Sequence, residues 1–220
     1  MMSVLQALIF ANGEPNDGAM VQRALDSAPE ALVIAADGGA RIAAYFGRVP
    51  HVVVGDMDSI TVQQLQALES VHADIRRHPP EKDETDLELA LQVAAERGAC
   101  WIRIIGAIGS RFDQVLANVY LMAQPELAGC DIQMVAGKQA MRLLRAGEHL
   151  IEGAEGDTVS LIPIMGDALN VTTEGLYYPL KGETLRFGPA RGVSNVLKGE
   201  RAQVRFEGGM LLVVHTIGRA

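Results

Sequence analysis

His51-Val52-Val53-Val54-Gly55-Asp56-Met57-Asp58-Ser59 runs from a short apolar, β-branched stretch straight into an acidic turn. An apolar run of this length, bounded by glycine, reads as a strand buried in a parallel sheet. The same grammar recurs on both sides. Val4 to Phe10, Ala31 to Ala36, Ala73 to Arg77, Trp101 to Ile105 and Ile132 to Val135 read as further strands. Met20 to Ser27, Thr61 to Leu68, Thr85 to Arg97 and Phe112 to Leu127 carry apolar residues at helical spacing between them. Strand and helix alternating in this way predict an α/β fold with helices on both faces of a parallel sheet.

After Gly137 the pattern changes. Arg142 to Arg145, Thr158 to Ile164, Asn170 to Thr173, Gln203 to Glu207 and Met210 to Thr216 are short β-like runs with glycines between them, and no long helix is readable. Short strands with frequent turns fit an antiparallel sandwich or barrel. The expected organisation is an N-terminal doubly wound parallel-sheet domain over residues 1–136, followed by a C-terminal antiparallel β-sandwich domain over residues 137–220.

In an open α/β sheet, ligands bind beyond the carboxyl ends of the strands. Here those positions hold Asp37-Gly38-Gly39, Gly55-Asp56-Met57-Asp58-Ser59, Lys82-Asp83-Glu84-Thr85-Asp86 and the segment Gly106 to Asp113. One aspartate at a helix start is ordinary capping, and Thr85 with Glu88 reads as a capping box. Carboxylates delivered by four successive strand ends would repel one another unless a cation or a perturbed pKa relieved them. Hard oxygen donors without histidine or cysteine select Mg²⁺, Mn²⁺ or Ca²⁺, and Mg²⁺ completes its shell with water and substrate phosphates. This points to phosphoryl transfer. Glycines in Asp37-Gly38-Gly39 and Gly106-Ala107-Ile108-Gly109-Ser110 permit close approach of a ligand, a helix starting near Arg111 or Phe112 aims N–H groups at an anion, and Arg111 can grip a phosphate. Neither glycine loop has P-loop or dinucleotide spacing.

Composition excludes other classes. The chain has 220 residues, 49% of them hydrophobic, and a net charge of −8. An acidic chain without a basic patch repels nucleic acid. Its longest apolar runs fall far short of the ~20 residues that span a bilayer. Met1-Met2-Ser3 carries no basic segment, and Gly13, Glu14 and Pro15 interrupt the first apolar stretch, so no secretory signal is read and a cytoplasmic location is expected. Cys100 and Cys130 read as ordinary buried thiols that imply neither disulfide nor zinc, Trp101 reads as core packing, and the five histidines show no ligand spacing.

Asn12-Gly13-Glu14-Pro15, Asp37-Gly38-Gly39, Gly55-Asp56-Met57-Asp58-Ser59, the run Lys82-Asp83-Glu84-Thr85-Asp86 to Leu91 and Gly109-Ser110-Arg111-Phe112-Asp113, in this order, resemble the thiamine pyrophosphokinase family. Asp157 to Pro163, Thr173 to Leu180 and Val193-Ser194-Asn195 look like that family's β-domain motifs. The resemblance implies an ATP-binding α/β domain, a thiamine-binding sandwich, and a homodimer whose active sites lie at the subunit interface. It implies that Asp56, Asp58, Asp86 and Asp113 hold Mg²⁺, and that Asp83 joins these four in catalysis. By the same likeness Asp37, Gly38, Gly39, Lys82, Thr85, Gly109, Ser110 and Arg111 surround ATP, and Ser194 and Asn195 contact thiamine. The implied reaction transfers the diphosphoryl group of ATP to the thiamine hydroxyl, giving thiamine diphosphate and AMP. Departures from the family pattern fall at Ser110, Gln114, Tyr177 and Val196. Tyr177 and Val196 motivate an alternative acceptor such as a pterin alcohol; Ser110 and Gln114 motivate a Mg-ATP-binding protein without turnover.

Overall fold

Leu5–Phe10 forms β1, whose Ala7, Leu8, Ile9 and Phe10 are fully buried because they sit at the centre of a parallel sheet. The structure is a computed structural model and describes residues 5–219; Met1-Met2-Ser3 and Val4 lie outside the described residues. The chain divides into two compact units, the first ending at Gly137 and the second starting at Lys138.

In the first unit, α1 (Ala19–Asp26), β2 (Leu32–Ala36), α2 (Gly39–Tyr45), β3 (Val52–Gly55), α3 (Val62–Ser70), β4 (Asp74–Arg77), α4 (Asp86–Glu96), β5 (Ala99–Ile105), α5 (Phe112–Leu121) and β6 (Asp131–Ala136) follow β1. The strand order is β6-β5-β1-β2-β3-β4, parallel at every pairing. Successive strands run outward from β1 in one direction as far as β4, then resume on its other side at β5. Right-handed crossovers therefore put α1–α3 on one face and α4–α5 on the other. The order reverses between β1 and β5, which opens a crevice at their carboxyl ends.

Several local expectations need correction. The helix α2 has no counterpart in the sequence reading, because Gly38-Gly39 looks like a turn. Gly39 is required there: a Cβ would collide with the Phe10 carbonyl where the helix crosses β1. The expected helix Phe112 to Leu127 stops at Leu121 and resumes only as a 3₁₀ turn over Pro125–Leu127, since Pro125 lacks an N–H and disfavours helix in Gln124 before it. The Thr85–Glu88 capping box is half formed: Thr85 accepts from the Glu88 N–H, while the Glu88 side chain accepts from Gln124. A complete box stands instead at Thr61 and Gln64. Trp101 is only partly buried and lies under the Arg103 guanidinium, 4.0 Å from the ring centroid. Cys100 is exposed, not buried.

The second unit is antiparallel. β7 (Gln139–Glu152), β8 (Thr158–Pro163), β9 (Ala168–Glu174), β10 (Lys181–Leu185), β11 (Asn195–Val196) and β12 (Arg201–Thr216) follow in order. Two strands are far longer than the short ones expected, and β10 and β11 were unread. β12 pairs with β7 along its whole length, with a break between Phe206 and Met210. Gly209 supplies φ 86° at that break, a left-handed conformation glycine adopts without penalty. On one side of it β12 pairs with β9, and on the other with β8. The bend folds β10-β9-β12-β7 against β11-β8-β12-β7, so that Ile151, Val171, Val204 and Phe206 share a core with Val159, Leu161, Leu211 and Val213. Asp157, just before β8, is buried and accepts from the backbone N–H groups of Ala154 and Gly218 and pairs with the His215 ring at 2.8 Å.

Candidate functional site

The crevice between β1 and β5 opens into a cleft of about 610 Å³ in the first unit. Its floor is zipped shut by backbone: Ala11 N–H donates to Ile105 O, Gly13 N–H to Gly106 O, and Glu14 N–H to Ile108 O. The Asn118 side chain donates to Ala107 O at 2.8 Å and holds the loop after β5 from beneath.

Acidic groups come from the ends of β2 and β3. Asp37 follows β2 in a left-handed conformation, φ 45°, that aspartate tolerates better than most residues. Its side chain is buried, and its Oδ1 has no hydrogen-bond partner. After β3, Met57 adopts φ 69°, costly for a side chain that is not glycine. Its burial against Ala35, Val53 and Leu68 pins that conformation and throws Asp56 and Asp58 outward on either side. Carboxylate oxygens of Asp37, Asp56 and Asp58 all lie within 4.8 Å of one another. At that spacing two carboxylates repel by roughly 3 kcal/mol at an effective dielectric near 20, and less where Asp58 meets solvent.

Asp86, at the first turn of α4, joins this edge. Burial, the largest influence, pushes its carboxyl above the usual range; Lys82, 3.1 Å away, opposes this, and the charges of Asp37 and Asp56 reinforce it. The Lys82 ammonium, 3.1 Å from the buried Asp86 Oδ1, is that oxygen's charged partner. Gly55, φ 148°, stands where a Cβ would press on Asp37 and Asp86 Oδ1 together. A tight cluster of hard oxygen donors, with a buried orphan oxygen and mutual repulsion, is chemically matched to a small divalent cation.

The remaining expected residues divide by position. Lys82, Thr85, Gly109, Ser110 and Arg111 line the cleft with Asp37, Asp56, Asp58 and Asp86. Asp83 and Asp113 do not line it, and both are exposed. Asp113 is bound to Arg111 at 2.5 Å, and that bond is the main reason its carboxyl sits below the usual range. Gly38 borders a second, mostly apolar cavity of about 250 Å³ between α2 and α3, which shares Arg41 and Ser59 with the main cleft. Gly39 lines neither cavity.

Arg41, Asn12, Glu14 and Asn118 stand on the cleft wall although sequence reading gave none of them a site role. Arg41 sits on the unread helix α2, and Asn118 on α5 looks like any polar residue of a helix. The Asn12-Gly13-Glu14 segment directly after β1 was the available signal.

In the second unit Ser194 is exposed with φ 58°, and its N–H donates to Ser160 Oγ. Asn195 is buried and fully engaged: its Oδ1 accepts from Tyr178 N–H and Val196 N–H, and its Nδ2 donates to Tyr178 O. Tyr177 and Tyr178 are exposed, and Lys198 Nζ lies 5.6 Å from the Tyr177 ring centroid.

Residues 24–134 match the family described as thiamin pyrophosphokinase, catalytic domain, and residues 148–211 match thiamin pyrophosphokinase, vitamin B1 binding domain. The chain is similar to the thiamine pyrophosphokinase of Bacillus subtilis, 31% identical over 171 residues that cover 77% of this chain and 80% of that one. It is similar to thiamine pyrophosphokinase 1 of Arabidopsis thaliana, 27% identical over 176 residues, 75% of this chain and 65% of that one. A crystal structure of thiamine pyrophosphokinase from Bacillus subtilis superposes with a TM-score of 0.85 at 28% identity, covering 96% of this chain and 99% of that chain.

Proposed function

Because the chain belongs to the thiamine pyrophosphokinase family of diphosphotransferases, we propose that it transfers the diphosphoryl group of ATP to the hydroxyl of thiamine, releasing AMP. The observation that carries the reading at the site is the gathering of Asp37, Asp56 and Asp58 beside the orphaned Asp37 oxygen in a cleft at the β1/β5 reversal. The family match favours thiamine over a pterin alcohol, and turnover over ATP binding alone.

In this reading Asp37, Asp56, Asp58 and Asp86 hold Mg²⁺. When bound, the ion neutralises phosphate charge and stabilises the charge that builds during transfer. Lys82 and Arg111 supply the cationic contacts to phosphate oxygens, and Asp113 orients the Arg111 guanidinium by its two-point pairing. Backbone N–H groups at the start of α5 face the same anion; no side chain caps that helix end. One aspartate of the cluster accepts the hydroxyl proton of the acceptor. Ser194 contacts thiamine, and Asn195 acts through the Tyr177-Tyr178 loop, since its polar atoms are committed to Tyr178 and Val196. The enzyme works as a cytoplasmic homodimer, with thiamine held between the cleft of one subunit and the β-rich unit of the other.

The test is to incubate the protein with ATP, Mg²⁺ and thiamine and to resolve AMP from ADP. AMP formed in step with thiamine diphosphate, and lost in excess EDTA, is the expected result; ADP as product or full activity in EDTA overturns the reading. Ser194→Ala should raise the thiamine KM and leave the ATP KM unchanged, since a lost hydroxyl leaves its partner unpaired. An unaltered thiamine KM removes Ser194 from the acceptor site.

A further inference from the structure

Cys100 and Cys130 stand thirty residues apart in the chain, yet their sulfur atoms lie 3.4 Å apart. Topology accounts for the meeting. β5 and β6 are parallel neighbours with Trp101 opposite Asp131, so the residues one step earlier, Cys100 and Cys130, lie side by side where that ladder begins. Neighbouring strands run ~4.8 Å apart, inside the separation of about 4.4–6.8 Å between Cα atoms that a disulfide bridges. On its other side β5 carries a bulge: Leu5 pairs with Ala99 and Gln6 with Trp101, leaving Cys100 as the extra residue. A bulge re-aims the side chain of the residue it leaves unpaired.

The two thiols are not equivalent. Cys100 is exposed and Cys130 half-buried. The Cys130 thiol is placed to donate to Ala99 O at 3.7 Å or to the Cys100 sulfur. Burial, followed by the Cys100 sulfur, pushes the Cys130 thiol up to about 11, so it keeps its proton at neutral pH. Among the described residues no third histidine, cysteine or carboxylate joins the pair, which leaves it short of a zinc site.

We propose that Cys100 and Cys130 are a reversible disulfide-forming pair, oxidised by low-molecular-weight disulfides of the glutathione type. The exposed Cys100 thiolate attacks one sulfur of the oxidant, forms a mixed disulfide and expels the first thiolate. Cys130 then loses its proton to solvent and attacks Cys100 Sγ, which expels the second thiolate. Two electrons and two protons pass from the protein thiols to the oxidant, which leaves as two thiols. The bond closes a loop from β5 through the Gly106 to Asp113 segment and α5, the stretch that forms one wall of the cleft. It lies at the amino end of β5, away from the cleft itself. Closing a loop of this length restricts the unfolded chain and stabilises the fold without moving the cleft residues.

The test is to treat the full chain with oxidised glutathione, block remaining thiols with iodoacetamide, and examine it by intact mass and non-reducing peptide mapping. The expected result is loss of two hydrogens, a linked Cys100–Cys130 peptide within one chain, and a melting temperature raised by roughly 5 °C or more, all reversed by dithiothreitol. Cys130→Ser should instead trap a glutathione adduct at Cys100. A stable adduct on the parent, a link between chains, or both thiols still open to alkylation overturns the pair. A bond that forms and leaves the melting temperature unchanged overturns the clamp.

Discussion

Asp56 and Asp58 separate electrostatic function from ordinary structure, because asparagine keeps their shape and caps a turn about as well while removing the charge. Asp56→Asn and Asp58→Asn should each melt no lower than the parent, since each removes a like charge from the cluster, and should lower turnover by about 10²-fold or more, the loss expected when one electrostatic element of a transfer site is removed. Steady-state rates at limiting Mg²⁺ and a thermal melt check this; unchanged turnover would make the pair structural. Asp26→Asn, at an exposed position at the end of α1 and outside the cleft, is the control. Asp157 makes a second prediction at this scale. Burial is the largest influence on it and raises its pKa, but the N–H groups of Gly218 and Ala154 and the His215 ring together outweigh burial and leave the carboxyl below the usual range. A carboxyl whose folded pKa is depressed contributes stability that is full above the unfolded value, about pH 4, and is lost as pH falls through the folded value. Asp157→Asn should therefore lower the melting temperature at pH 7 and flatten its decline below about pH 4. Parallel melts across that range decide it; two parallel curves count against the assignment.

The helix α4 shows how an element sets the site, because its first turn carries Asp86 and its cap is Thr85. Thr85→Ala removes the acceptor for the Glu88 N–H and should cost about 1 kcal/mol, while Thr85→Ser should cost a few tenths at most. Urea unfolding of both variants measures the difference; equal losses would place the role of Thr85 in its methyl group rather than its hydroxyl. Elements were legible in the sequence where strand and helix follow local rules. The acidic turns after β2 and β3 stood out because an apolar run ending in aspartate is a short-range pattern, and Lys82 to Asp86, beyond the polar β4, stood out by its charge alone. What escaped depended on distant partners. Gly39 looks like a turn until the Phe10 carbonyl crosses it, and Gly208-Gly209 looks like a gap between two strands until β7 pairs on both sides. Cys100 and Cys130 are strangers in the sequence, and only the β5/β6 register brings them together. In the cleft, the membership of Asp37 in the tight cluster and the withdrawal of Asp113 to Arg111 are matters of a few ångströms that spacing along a chain does not encode.

At the scale of the whole molecule, the proposed division of each site between two subunits has a mixing test. Light scattering should give twice the chain mass, and mixing an inactive Asp56→Asn chain with a Ser194→Ala chain should restore part of the activity, because one mixed site in each dimer has both intact halves. An active monomer, or a mixture no better than its parts, removes the shared site. A different consequence follows from the bent strand β12. Three earlier strands, β7, β8 and β9, each pair with it, and it comes last among them. The parallel sheet has all its strands once Ala136 is made. For the several seconds that a ribosome needs to add the following sixty or so residues, at ~5–20 residues per second, Leu144, Ile151, Val159 and Leu161 wait for the strand that completes their core, with only the β9/β10 and β8/β11 pairings open to the second unit's other strands. Birth order thus leaves the core of the second unit open until β12 arrives, and the waiting strands, with open edges and bare apolar faces, are where this chain most needs protection from other chains.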